Sequence, residues 1–164
     1  MKPLSLCLIN MGTRGLELVK TFPDVIPADS MNQLVYKTIP MGSNPGDFAS
    51  TTFNNLNLTS YIFRIPSADQ RDNLASLVAV FDDTNYDSNA IKQVFSWVIT
   101  ELEKKDLLST GTLQEVLPKL YKGFNKGTFK IEITSTSTIT FDFPRKSKDK
   151  NGTAIDKLSD DLWD

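Results

Sequence analysis

Leu74-Ala75-Ser76-Leu77-Val78-Ala79-Val80-Phe81 is apolar at every position except Ser76. A strand with one wet face alternates apolar and polar residues, so a run without alternation belongs to a strand covered on both faces. The stretch predicts a central strand over about residues 74–81. Directly after it the period changes. Ile91, Val94, Phe95, Val98 and Leu102 fall at i, i+3, i+4, i+7 and i+11, which is one face of a helix. Asp87 or Ser88 caps that helix, and Glu103-Lys104-Lys105 brings basic charge to its carbonyl end.

Upstream, residues 4–10 form one arm of a hairpin across Met11-Gly12-Thr13-Arg14-Gly15. Leu16, Leu18 and Phe22, alternating with Glu17 and Thr21, form the other. After Pro23 and Pro27, Ser30-Met31-Asn32-Gln33 has the form of a capping box, and Met31, Leu34, Val35 and Thr38 keep helical spacing. A short helix is expected there, ending before Pro40. Strands follow at about residues 49–54 and 58–65, separated by Asn54-Asn55-Leu56-Asn57.

Downstream, Thr112-Leu113-Gln114-Glu115 reads as a second capping box. It opens a helix whose stripe is Leu113, Val116, Leu117, Leu120, Tyr121 and Phe124. Pro118 lies inside, and a proline past the first turn costs about 3 kcal/mol or more in a regular helix, so a kink or two short pieces are expected. Residues 128–143 alternate again around Phe129, Ile131, Ile133, Ile139, Phe141 and Phe143, a second hairpin. The order is ββαβββαα plus a hairpin, of α+β class. It divides into a domain at 1–126, the appended hairpin at 127–143, and a tail at 144–164 read as charged and flexible.

Composition narrows the function. With 164 residues the chain holds one domain of ordinary size. Eighteen Lys+Arg against twenty Asp+Glu leave a net charge of -2, so no basic field exists to capture nucleic acid. There is no histidine at all, which excludes triads that require it and most zinc sites. One cysteine permits no intrachain disulfide. The longest apolar run, Leu77-Val78-Ala79-Val80-Phe81, is far short of the roughly 20 residues that span a bilayer. The expectation is a cytoplasmic, non-enzymatic protein with no cofactor, no metal and no transmembrane segment.

Candidate sites read blandly. Cys7 sits in an apolar strand and reads as a small buried hydrophobe. Asp82-Asp83-Thr84-Asn85-Tyr86-Asp87 resembles a calcium loop at Asp83, Asn85 and Asp87, but position six is Ser88 and position twelve Val94. It reads as a strand exit and helix cap. The glycines at 12 and 15, and at 42 and 46, fit no phosphate-loop pattern and read as turns. Arg145, Lys146, Lys148 and Lys150 would each be worth about 1 kcal/mol at an anionic membrane surface. Asp149 and the later aspartates oppose this, so peripheral membrane association is the lesser reading. Leu158-Ser159-Asp160-Asp161-Leu162-Trp163-Asp164 combines apolar anchors with acidic charge. It reads equally as a docking peptide or as a segment that folds back on its own domain.

Leu8-Ile9-Asn10-Met11-Gly12-Thr13-Arg14-Gly15-Leu16-Glu17-Leu18-Val19-Lys20-Thr21-Phe22-Pro23 resembles the opening hairpin of prokaryotic, particularly archaeal, longin-like proteins. The Gly15-Leu16-Glu17 core, the Phe22-Pro23 pair and the element order over about residues 4–124 carry the resemblance. It implies a five-stranded antiparallel sheet between one helix and two helices, related to profilin and roadblock folds. It also implies a non-enzymatic adaptor or regulator of a small GTPase, or of another longin or roadblock domain, in membrane-traffic-like processes. Homo- or heterodimers would form through a sheet edge. By that analogy the first helix and the loop after it carry the partner contact, at Tyr36 and Met41; Phe129 and Phe141 of the added hairpin and Trp163 of the tail are further candidate contacts. The alternative is a profilin-like regulator of the cytoskeleton binding actin or polyproline, with Trp97 and Trp163 as its aromatic cluster.

Overall fold

A computed structural model describes residues 2–12, 15–66, 73–134 and 137–142, and the side chains of all of these up to residue 127. Over these residues the chain is mixed α+β, with one five-stranded antiparallel sheet, a two-stranded sheet and three helices. Strands β1 (Ser5–Gly12) and β2 (Gly15–Phe22) form the first hairpin, and α1 (Ala28–Leu34) runs into a 3-10 turn at Val35–Lys37. Strands β3 (Phe48–Phe53), β4 (Leu56–Ile65) and β5 (Asn73–Phe81) follow, then α2 (Ser88–Lys104) and α3 (Thr110–Lys126). The sheet order is β2-β1-β5-β4-β3, which puts β5 in the middle.

The non-alternating run of β5 has the expected cause. Ala75, Leu77, Ala79 and Phe81 join Leu6, Leu8 and the stripes of α2 and α3 in one buried cluster. Val78 and Val80 join Cys7, Ile9, Leu58 and the α1 residues Met31 and Leu34 in another. One helix therefore covers one face of the sheet and two helices cover the other. Strands β6 (Thr128–Thr134) and β7 (Ser137–Asp142) pair as a separate two-stranded sheet and do not extend the five-stranded one.

Several local expectations need correction. Between β3 and β4 the turn is only Asn54-Asn55, with φ of 49° and 65°. Asparagine tolerates this left-handed region, so the strands close tightly and Leu56 and Asn57 belong to β4. Helix α1 begins at Ala28, with Pro27 at its cap and no side-chain cap bond; Ser30 lies inside the helix. Proline's fixed φ starts the helix two residues before the expected box. Helix α3 begins at Thr110, and its cap is Ser109, whose Oγ accepts from the Thr112 N–H at 3.1 Å.

Pro118 does not divide α3, which runs unbroken for 17 residues. Proline removes the N–H that would bond the carbonyl four residues earlier, here Gln114. Lys20 Nζ donates to that same Gln114 carbonyl at 3.0 Å. The reach depends on β2. Its register against β1 shifts between Leu8 and Ile9, leaving Val19 as an extra residue, and a bulge of this kind flips the faces on either side of it. Leu16 therefore packs on the α1 side, whereas Val19 and Phe22 pack on the side of α2 and α3. This corrects the simple alternation of Leu16, Leu18 and Phe22. It aims Lys20 at Gln114 and sets Phe22 edge-on to Tyr121 at 5.6 Å.

Lys20→Met is expected to destabilise the protein by about 1.5–3 kcal/mol, the usual range for a charged hydrogen bond whose partner is left orphaned. In a Pro118→Ala background Gln114 regains a helical donor, so the same change should cost much less. Urea denaturation of the four proteins of this cycle measures the coupling, and strict additivity would show that the ammonium does not complete the helix.

Candidate interaction surface

The two edges of the sheet differ in chemistry. An edge strand exposes unpaired backbone N–H and C=O groups, and proteins blunt it with charge, proline or bulges. β2 has such protection in the Val19 bulge, Glu17 and Lys20. β3 has none of these. Phe48-Ala49-Ser50-Thr51-Thr52-Phe53 carries no charge and no proline, and its register with β4 is unbroken over all six residues. Ser50 and Thr52 are exposed.

The segment after α1 lies across the face of the sheet, against β2 and β5. Thr38 is buried and its hydroxyl donates to the Val35 carbonyl at 2.7 Å, while Ser76 Oγ of β5 donates to the Thr38 carbonyl at 3.4 Å. These bonds pin the 3-10 turn to the middle of the sheet and leave its other side outward. Tyr36 is 71% exposed and Met41 103%, the two highest values among the large hydrophobic residues described. Lys37, next to Tyr36, places Nζ 5.8 Å from the ring centre of Phe53 in β3. The backbone of the turn itself lies against β2, at the other edge of the sheet, so it is the Lys37 side chain that reaches toward β3. Val25, 53% exposed, was missed by sequence reasoning; its position between Pro23 and Pro27 was the available signal.

The other candidates separate as follows. Phe129 and Phe141 are register partners in the β6-β7 hairpin. Trp163 lies outside the described residues, as do Arg145, Lys146, Lys148 and Lys150. Trp97 is half-buried against the cluster under α2 and α3. Cys7 is fully buried, and burial pushes its thiol from 9.0 up to about 11 in spite of contacts with Thr21 and Ser5. At neutral pH it is a neutral thiol without nucleophilic character. Asp87 Oδ1 accepts from the N–H groups of Asn89 and Ala90 at 3.0 and 3.2 Å, and Asp83 Oδ1 from Asn85 N–H at 3.0 Å. The calcium-like segment is thus a turn followed by a helix cap. Among the described residues no three His, Cys, Asp or Glu side chains gather as a metal site, and no helix is long and apolar enough to cross a membrane.

No protein-family model matches the chain, and a search of curated proteins finds no match.

Proposed function

We propose that the chain is a non-enzymatic, longin-type interaction module, an adaptor or regulator that holds a small GTPase or a second longin- or roadblock-type domain in a membrane-traffic-like process. The element order and the one-plus-two arrangement of helices about an antiparallel sheet support the longin reading. The observation that carries the interaction reading is the unguarded β3 edge. A partner strand added to β3 draws affinity from backbone hydrogen bonds, and the exposed Tyr36 and Met41 offer separate apolar anchors.

The test is retention of partners by the immobilised chain, with GTP analogue or GDP present, followed by mass spectrometry. A small GTPase or a second longin-type domain is the expected partner. Tyr36→Ala with Met41→Ala should then weaken its binding at least tenfold, about 1.4 kcal/mol, with the circular dichroism spectrum unchanged. Ser50→Lys with Thr52→Lys, which gives β3 the charge it lacks, should do the same. Recovery of actin, or unchanged affinity in both double variants, would overturn the proposal.

A further inference from the structure

The outward face of α2 holds an open groove of about 620 Å³ whose lining includes Lys92, Ser96, Trp97, Thr100, Glu101 and Lys104. Trp97 forms an apolar floor, since it also packs on the cluster beneath the helix. Lys92 and Lys104 stand at opposite ends, 12 positions apart by number, which is about 18 Å along a helix. Lys104 leans on Glu101 at 3.4 Å yet remains 70% exposed. The groove thus offers one aromatic surface between two ammonium groups whose aliphatic stems extend it.

Strand β7 touches α2 and ends at Asp142, which pairs with Thr128 just past the end of α3. The 13 residues from there to Ile155 can span about 40 Å, whereas α2 is about 25 Å long. That length exceeds the whole of α2, along which the groove lies. Residues 155–164 have the complementary character. Ile155, Leu158 and Leu162 stand at i, i+3 and i+7, next to Trp163, and Asp156, Asp160, Asp161 and Asp164 outweigh Lys157.

We propose that residues 155–164 dock in cis on the outer groove of α2. Leu158, Leu162 and Trp163 cover Trp97 and the lysine stems, and the aspartates face Lys92 and Lys104. The proposal is independent of the β3 surface.

The chain has only two tryptophans, so the intact ¹⁵N-labelled protein gives two indole N–H signals, assigned with Trp163→Phe. Docking predicts a Trp163 indole order parameter of about 0.8, as for a rigid part of the fold, falling below about 0.6 in Lys92→Glu with Lys104→Gln. The Trp97 indole should shift in that variant while the core methyl signals stay in place. Salt near 1 M, where the screening length is about 3 Å, should loosen Trp163 in the unaltered chain. A wild-type value below about 0.6 would overturn the proposal. So would a rigid Trp163 indifferent to the lysine changes, which places the segment elsewhere. Rigidity that depends on protein concentration would overturn it as well, since it assigns the occupant to a second copy.

Discussion

Phe95→Ala is expected to cost about 3–5 kcal/mol of folding stability, the range for emptying a fully buried aromatic site. Phe95 has no exposed surface, and its ring meets Phe124 of α3 edge-on at 5.9 Å and 90°. It stands where α2, α3 and the sheet converge, in the same cluster as Leu77, Leu113 and Leu117. The loss therefore combines transfer of the ring to water, a cavity whose rigid walls cannot close, and the aromatic pairing itself. With total stability of ordinary size, about 5–15 kcal/mol, this one change removes a large share of it. Urea denaturation reads the effect. Leu34→Ala, on the α1 face, shares no partner with Phe95, so the two losses should add to within about 0.5 kcal/mol. A loss under 1 kcal/mol for Phe95→Ala would mean that α2 does not pack on the sheet as described.

The second large effect is alkaline. The Cys7 thiol ionises at an ordinary 9.0 in the unfolded chain and at about 11 in the folded one, because burial disfavours the thiolate. Between those values the unfolded chain binds fewer protons than the folded chain, so stability falls as pH rises. The contribution is fully present below pH 9 and lost by about pH 11; at about 1.4 kcal/mol per pH unit it is on the order of 3 kcal/mol. The measurement is the difference between wild type and Cys7→Ala in urea midpoints from pH 8 to 11, which cancels whatever the two proteins share. The gap should shrink as pH rises. A constant gap would show that Cys7 does not carry the alkaline loss.

Much of this architecture is legible in the order of residues, and the failures have identifiable causes. β5 could be read because covering a strand on both faces abolishes its alternation, and α2 because its apolar stripe keeps the 3.6-residue period from Ile91 to Leu102. Those are local signals. The bulge at Val19 was not legible, because an extra residue in one strand is defined only by its neighbour, and Phe22 was therefore assigned to the face of Leu18. The helix starts at Ala28 and Thr110 are hidden because Ser30 and Thr112 read as good caps by composition, whereas the caps are Pro27 and Ser109, each three residues earlier. The continuity of α3 was hidden for a different reason: the donor that tolerates Pro118 comes from residue 20. At the candidate surface, Tyr36 and Met41 were singled out from a resemblance, and the structure places both in solvent. The β3 edge could not be identified beforehand, since the uncharged stretch from Phe48 to Phe53 becomes an edge only through the strand order β2-β1-β5-β4-β3.

The bond between Lys20 and Gln114 spans 94 positions of chain. A helix normally completes its ladder from within, but α3 has one rung filled by the opposite end of the domain. It is consequently not an autonomous folding unit. Its middle gains full protection from solvent exchange only when β2 has docked, and a pull on β2 is transmitted to the rung facing Pro118. The same dependence links two distant positions: replacing Pro118 by a residue with an N–H would free position 20 from carrying a cation, and removing the cation first would favour removing the proline.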